Sequence, residues 1–171
     1  MDFRMNITQQ LEAYSCFLEG NPLASLVAVK GVRGLAEAAG KPAFSGEDGL
    51  ALDKAFGALG WGFGSRDTRM WLGIMLFVDN RTSLDPEDLR MICETVDPLC
   101  IVALDDKARI SCIKAFAPTG AGSMAGFALG SEVWILGRHL VSVDGFEASL
   151  GSEASKQRVW AQLKRCVPPS I

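Results

Sequence analysis

The stretch that decides the fold is SLVAVKGVRGLAEAAGKPAFSGEDGLAL, residues 25–52. It opens with the apolar run 26–29, which predicts a short buried strand. A glycine-rich loop follows, and a helix is predicted to begin near Glu47. A strand that runs into a glycine-rich loop places this loop at the carboxyl edge of a sheet, which is where open α/β sheets bind ligands.

The chain on either side of this stretch continues the alternation of strands and helices. Asp85 and Pro86 predict the cap and first position of a helix, and Asp97-Pro98 predicts its end. Further strands are predicted at 69–77, 100–104, 131–136 and 139–143, and further helices at 6–14, 47–59, 86–96, 106–116 and 155–166. This order predicts a three-layer α/β/α sandwich with a mostly parallel central sheet of about four strands.

Length and composition set the class of protein. The 171 residues predict one domain, 1–171, and 49% of them are hydrophobic, enough for a sizeable core. The formal net charge of −3 argues against strong nonspecific binding to nucleic acid, which needs clustered Lys and Arg. No apolar run reaches the roughly 18 residues that span a membrane. We therefore expect a cytoplasmic protein without a membrane partner.

The spacing of residues after the first strand carries a resemblance to a known family. Glu37 follows Gly34 by three residues, Phe44 and Gly46 come next, and the helix opens with the apolar run 49–52. This pattern resembles the first motif region of the uracil-DNA glycosylase superfamily, in particular its small thermophile-type (family 4) enzymes. The resemblance implies an α/β/α fold with a pocket at the carboxyl ends of the strands, into which a flipped base enters.

The residues that carry the chemistry in this family are replaced here. Residues 30–33, Lys-Gly-Val-Arg, stand where the family has Gly-Glu-Ala-Pro, so Gly31 replaces an acidic residue. Asp144 stands where the family has the His that stabilises the departing base, and a carboxylate there would oppose the growing negative charge. We therefore expect a diverged, non-catalytic domain. It would retain a pocket for a base-like or anionic ligand or for nucleic acid.

Two other functions stay open on the sequence alone. The chain is an active base-excision glycosylase if catalytic groups have moved, with Asp79, Asp144 and the single histidine, His139, as candidates. It is a protein-interaction domain if the pocket has collapsed around bulky side chains such as Val32 and Phe146. As a strand residue beside a turn, His139 also has a purely structural interpretation.

The candidate ligand-binding residues follow from the same loops: Lys30, Gly31, Arg33, Gly34, Phe44 and Asn80. Lys30 and Arg33, beside exposed backbone N–H groups, either bind a phosphate or carboxylate or belong to a solvated loop. Phe44 either stacks on a base or anchors its loop against the sheet. The expected partners are DNA or a small base-like ligand.

The cysteines predict no cofactor. Their number is odd and no Cys-x-x-Cys motif is present, so buried, reduced thiols are expected at Cys16, Cys93, Cys100, Cys112 and Cys166. Family 4 glycosylases hold an iron–sulfur cluster with four cysteines, and the pairing partners for such a cluster are missing here. We therefore expect neither a cluster nor another metal.

Overall fold

The computed structural model describes residues 3–78, 82–119 and 124–170. The α-helices are α1 (Phe3–Leu11), α2 (Leu35–Ala38), α3 (Glu47–Ala58), α4 (Pro86–Val96), α5 (Asp106–Phe116), α6 (Phe146–Ser149) and α7 (Glu153–Leu163). The strands are β1 (Leu18–Gly20), β2 (Leu26–Lys30), β3 (Leu72–Met75), β4 (Cys100–Ala103), β5 (Glu132–Ile135) and β6 (Arg138–Ser142). None of the helices in these ranges has the length and hydrophobicity of a membrane-spanning segment.

The strands form one mixed sheet in the order β1-β3-β2-β4-β6-β5. The four inner strands β3, β2, β4 and β6 are parallel to one another. β1 and β5 pair antiparallel at the two edges. The predicted α/β class is confirmed. The prediction of a mostly parallel sheet of about four strands is wrong, because an antiparallel strand extends each edge and gives six strands.

Two apolar layers hold the helices against the sheet. β2, β3 and β4 are buried along their whole length, as expected for parallel strands that are covered on both faces. Helices α1, α4 and α5 pack on the face that carries Val27 and Val29. Helices α3, α6 and α7 pack on the face that carries Leu26 and Ala28. The sheet therefore lies between two layers of helices.

The edge strand β1 has no counterpart among the predicted elements. It follows a 3-10 turn over Glu12–Phe17 and pairs with β3 through only three residues. Gly20 ends it with φ +106, and an added Cβ there would overlap the carbonyl oxygen of Trp71. Three residues are too short for a period-2 pattern, so the pairing with β3 creates this strand.

The sequence signals for helix starts predicted the structure better than the signals for edge strands did. α4 begins at Pro86 after Asp85 and ends at Val96, as predicted. α5 begins at Asp106, and the side chain of Asp105 accepts a hydrogen bond from the Ala108 N–H, as an N-cap residue does. The last helix covers 153–163 rather than 155–166, because Ser152 caps it at its start.

The order of the parallel strands defines where a ligand can bind. From β2 the chain crosses to β3 on one side, and β4 and β6 lie on the other side. The loops that leave β2 and β4 therefore diverge at the carboxyl edge. A reversal of this kind opens a crevice in α/β sheets.

Candidate functional site

A cleft of about 840 Å³ opens at the carboxyl edge of β2, β4 and β6. Lys30 at the end of β2 and Leu104 after β4 line its floor, and α2, the start of α3 and α6 line its sides. The volume lies within the range of small-molecule pockets, roughly 300–1,000 Å³. Val32 and Phe146 line the cleft without closing it.

Lys30 is a buried cation surrounded by carboxylates. Its side chain is 3% exposed, although a lysine is rarely buried without a partner. The ammonium Nζ lies 2.7 Å from Glu37 Oε1, 2.6 Å from Asp48 Oδ2 and 2.6 Å from Glu147 Oε2. We call these four side chains the Lys30 cluster.

The carboxylates of the Lys30 cluster come from separate elements. Glu37 lies in α2, Asp48 in the first turn of α3, and Glu147 in α6 after β6. The Lys30 ammonium therefore ties together the segments that form the walls of the cleft. Asp48 gains further stabilisation because the amino end of a helix favours negative charge. Glu37 gains it from the backbone N–H groups of Gly34 and Phe44.

The contacts fix the charge of the cluster. Burial by itself would lower the pKa of the Lys30 ammonium, but hydrogen bonds to the three carboxylates raise this pKa well above its ordinary value. Burial would likewise raise the pKa of Glu37, but the hydrogen bond from Lys30 and the backbone N–H groups lower it. With formal charges of +1 for Lys30 and −1 for each carboxylate, the cluster carries −2. An ammonium held in this way is not a nucleophile.

Two glycines of the opening stretch allow the close packing around the cluster. An added Cβ at Gly34 would overlap the carboxylate of Glu147, so this side chain lies directly on the glycine. An added Cβ at Gly31 would lie 2.6 Å from Lys107 Cβ and 2.7 Å from the Ala108 N. The loop after β2 therefore has no space for a side chain at Gly31, whereas a side chain at Gly34 would displace the Glu147 carboxylate.

The backbone N–H groups of this loop already bind an anion from the chain itself. The N–H groups of Gly31 and Val32 each donate to Asp105 Oδ2 over 2.9 Å, while Asp105 Oδ1 caps α5. The Lys30 ammonium is likewise occupied by groups of the chain itself, because it already contacts three carboxylates. The loop is therefore not solvated at Lys30, and Asp105 occupies the N–H groups at which one interpretation of the sequence predicts an external phosphate or carboxylate.

The upper part of the cleft combines apolar surface with a few polar atoms. Leu35 is 88% exposed, and Ala36, Phe146 and Leu150 add further apolar lining. Asp48 Oδ1 and Ser45 Oγ are buried and have no hydrogen-bond partner in the described part of the chain. A ligand in the cleft would thus meet apolar walls above a floor that is rich in acceptors.

The structure brings some of the predicted site residues together. Lys30, Arg33 and Gly34 line the cleft, and Gly31 lies behind them. Arg33 donates from Nη2 to the carbonyl oxygen of Glu37 over 3.2 Å. Asp79 and Asn80 lie outside the described residues.

Of the two roles predicted for Phe44, its position fits the one in which the ring anchors the loop against the sheet. Its side chain is fully buried, and its ring meets Trp71 edge-on with ring centroids 5.3 Å apart. An added Cβ at Gly73 would lie 2.6 Å from the Phe44 ring, so the ring rests on β3. Arg69 Nη2 donates to the Phe44 carbonyl oxygen over 2.7 Å and holds a backbone with φ +60.

Asp144 and His139 lie apart from the cleft floor. Asp144 Oδ2 is 3.5 Å from Arg158 Nη2, and the Asp144 N–H donates to Gln162. His139 is near the start of β6, at the amino edge of the sheet, and its Nε2 is 2.6 Å from Glu132 Oε2. Because strands β4 and β6 separate this edge from the carboxyl edge, His139 does not face the Lys30 cluster.

Sequence reasoning missed the roles of Asp48, Asp105 and Glu147. The sequence identifies Glu37 only as one position of the motif and Asp105 only as the cap of a helix. Glu147 follows Asp144 by three residues, and attention to the helix starts after each parallel strand would have pointed to it. The sequence signal for these residues is an acidic side chain in the first turn of a helix that begins at the carboxyl edge of the sheet.

The chain matches no known family model, and no curated protein matches it. Within the described ranges, no group of three or more His, Cys, Asp or Glu side chains has a geometry that could hold a metal ion.

Proposed function

We propose that this chain is a diverged, non-catalytic domain of uracil-DNA glycosylase type, whose cleft binds a small base-like ligand that donates hydrogen bonds. The observation that carries the proposal is the acidic Lys30 cluster on the floor of an open cleft at the carboxyl edge of the sheet. A flat, nitrogen-rich ring with amino or ring N–H groups fits this chemistry.

The negative charge on the floor of the cleft favours a ligand that donates hydrogen bonds over an anionic ligand. Lys30 is neutralised by three carboxylates, and the loop N–H groups are taken by Asp105. A phosphate or carboxylate would therefore meet net negative charge without compensating donors on the floor. A ligand with N–H groups would form charge-assisted hydrogen bonds to Glu147, which is 30% exposed. We accordingly favour a free base or nucleoside over a nucleic-acid strand.

The shape of the cleft supports a ring-shaped ligand. Leu35 and Ala36 of α2, together with Phe146 and Leu150, line the cleft with apolar surface that a planar ring can contact. Burial of the ring against this surface would contribute hydrophobic stabilisation while the ring edge points to the acidic floor. The open cleft argues against the alternative of a collapsed pocket.

The resemblance to uracil-DNA glycosylases agrees with the position of the cleft but not with catalysis. Parallel inner strands and a carboxyl-edge cleft support a common architecture. Gly31 lacks the acidic side chain of the first motif, and Asp144 and His139 do not face the cleft floor. Binding without excision is the function that these contacts favour.

Cytosine and 2-pyrimidinone provide the sharpest test, because they share the same ring nitrogens and carbonyl group and differ only in the 4-amino donor of cytosine. We expect isothermal titration calorimetry to show cytosine binding about tenfold more tightly than 2-pyrimidinone, as for one hydrogen bond to a charged group. Glu147→Gln should remove this preference. Glu153→Gln, which changes an exposed carboxylate outside the cleft, should leave it intact. Equal affinity for the two bases, or no binding of either, would overturn the proposal.

An excision assay separates binding from catalysis. The protein is incubated at high concentration with single-stranded and duplex DNA that contains uracil or hypoxanthine, followed by alkali. We expect no strand cleavage. Alkali-labile sites that depend on the protein would favour the active glycosylase instead, with catalytic groups that include the undescribed Asp79.

A further inference from the structure

A second cluster of reactive side chains lies at the opposite, amino edge of the sheet. Cys100 begins β4, and Cys166 follows α7 in a segment, 164–170, without helix or strand. Their Sγ atoms are 3.0 Å apart, closer than two unbonded sulfur atoms usually pack and within about 1 Å of a disulfide bond length. Both side chains are buried in the layer that contains α7.

A histidine and a carboxylate lie beside this pair. His139 is the direct partner of Cys100 in the parallel pairing of β4 with β6, so the two side chains share one face of the sheet. His139 Nε2 is 2.6 Å from Glu132 Oε2, and the imidazole stacks on Trp134 with ring centroids 4.3 Å apart. Glu132 therefore holds the ring in place and stabilises its protonated form.

The remaining cysteines provide an internal comparison. Cys93 and Cys112 are buried in the other apolar layer, and burial raises the pKa of the Cys93 thiol to about 12. Burial also raises the pKa of Cys112. For Cys100 the hydrogen bond from the Cys166 thiol, together with His139, outweighs burial and lowers the pKa. The thiolate needed for exchange thus forms more readily at Cys100 than at the other buried cysteines.

We propose that Cys100 and Cys166 form a dithiol site that a low-molecular-weight disulfide, such as oxidised glutathione, converts to an intramolecular disulfide. His139 accepts the proton of the Cys100 thiol, and the thiolate attacks the oxidant to give a mixed disulfide and one molecule of free thiol. Cys166 then attacks Cys100 Sγ, forms the Cys100–Cys166 bond and releases the second molecule of thiol. Two protein thiols are oxidised and one small disulfide is reduced to two thiols.

The bond would tether the segment after α7 to the sheet. Trp61 Nε1 already donates to the Cys166 carbonyl oxygen over 2.9 Å, so this segment is also held against the end of α3. The oxidant reaches the buried sulfurs when the 164–170 segment opens, because this segment has no backbone ladder of its own. The site is independent of the cleft, and its test is independent of the proposed ligand.

Peptide mapping of the oxidised protein tests the linkage. The exposed Cys16 is first replaced by serine to prevent dimers, and the folded protein is treated with oxidised glutathione and alkylated after denaturation. We expect one linked peptide pair that contains Cys100 and Cys166, with Cys93 and Cys112 alkylated. Oxidation should raise Tm by roughly 5–15 °C, and Cys166→Ala should abolish this shift. Free Cys100 and Cys166 in the folded, oxidised sample would overturn the proposal.

The role of His139 has its own measurement. The rate of disulfide formation should rise with pH and reach half its maximum below the ordinary cysteine pKa of about 8.5. His139→Asn should move this midpoint upward, whereas Glu94→Gln, a surface change on α4, should not. Glu132→Gln should give an intermediate profile, since it removes the carboxylate that faces His139. An unchanged profile in His139→Asn would exclude the histidine as the proton acceptor.

Discussion

Lys30 illustrates how a single residue acquires its role from its surroundings. A lysine at the end of a strand beside glycines is usually solvated, yet here three carboxylates replace the water around its ammonium. Removing one partner from a buried ion cluster is costly, because the remaining charges lose both their hydration and their counterion. The main role of Lys30 is therefore to stabilise the fold through these three contacts.

Replacement of Lys30 by methionine should lower the free energy of unfolding by about 3 kcal/mol or more, since three carboxylates are left without their cation. Urea unfolding followed by circular dichroism measures the loss. Lys41→Met, a change at the exposed rim of the same cleft, should stay within about 0.5 kcal/mol of the parent. Equal stability of the two variants would show that the Lys30 cluster does not support the fold.

Gly34 should be the residue that couples the loop to Glu147. In Gly34→Ala the new methyl group would overlap the Glu147 carboxylate, so this side chain must leave Lys30. We expect cytosine affinity to fall by about tenfold, as for loss of one charge-assisted hydrogen bond. Gly126→Ala is the matched control, because Gly126 does not line the cleft and an added Cβ there meets nothing within 4 Å. Calorimetry on the two variants would disprove the coupling if both bind cytosine alike.

At the scale of elements, Asp105 connects a helix to a strand end. Its Oδ1 caps α5 while its Oδ2 accepts from the N–H groups of Gly31 and Val32 after β2. The same carboxylate thus stabilises the amino end of α5 and the shape of the cleft loop. A cap with three backbone donors is worth more than an ordinary exposed cap.

Asp105→Ala should therefore destabilise the protein by about 2–3 kcal/mol, because it removes the cap and leaves two backbone N–H groups without an acceptor. Ser152→Ala, which removes the exposed cap of α7, should cost only about 0.5–1 kcal/mol. Thermal and urea unfolding of both variants give the comparison. Similar losses for the two would mean that the loop contacts of Asp105 add little.

At the scale of the whole molecule, the ion pair between Lys30 and Glu37 makes stability depend on pH. The pKa of Glu37 is lowered in the folded state, so its contribution is present above its unfolded value of 4.5 and is lost as pH falls through the lower folded pKa. The pKa of Lys30 is raised, so its contribution is present below 10.5 and is lost only at a higher pH. Between these limits Lys30 and Glu37 keep their charges and stabilise the fold.

We therefore expect the contribution of the Lys30–Glu37 ion pair to stability to be constant from about pH 5 to pH 10 and to decline in acid. Urea unfolding across pH, compared between the parent and Glu37→Gln, measures this contribution. The variant should be less stable at pH 7. The difference should shrink below pH 4.5, where the Glu37 carboxylate becomes protonated in the unfolded state, and should be lost as pH falls through its lower folded pKa. A difference that does not change between pH 7 and pH 3 would contradict the assignment.

The sequence determined the elements whose cause is local. Continuous apolar runs predict β2, β3 and β4, because a strand buried on both faces needs apolar side chains throughout. Asp85 with Pro86 and Asp105 predict the starts of α4 and α5, because caps act within one turn. The glycines at 31 and 34 predict a tight loop at the carboxyl edge of the sheet.

Only the tertiary structure decided which side chains meet. Glu147 reaches Lys30 because β6 ends beside β4, and Cys100 meets Cys166 because α7 returns across the sheet. The local pattern can mark Glu147 as an acidic residue in a first helical turn, but it predicts neither the contact of Glu147 with Lys30 nor the contact between the two cysteines. Hydrophobic periodicity specifies which face is buried and not which distant residues share it. The edge strand β1 exists for the same reason, because its pairing with β3 is a long-range interaction. Local sequence thus produced the strands and caps, whereas strand order produced the cleft, its charge and the thiol pair.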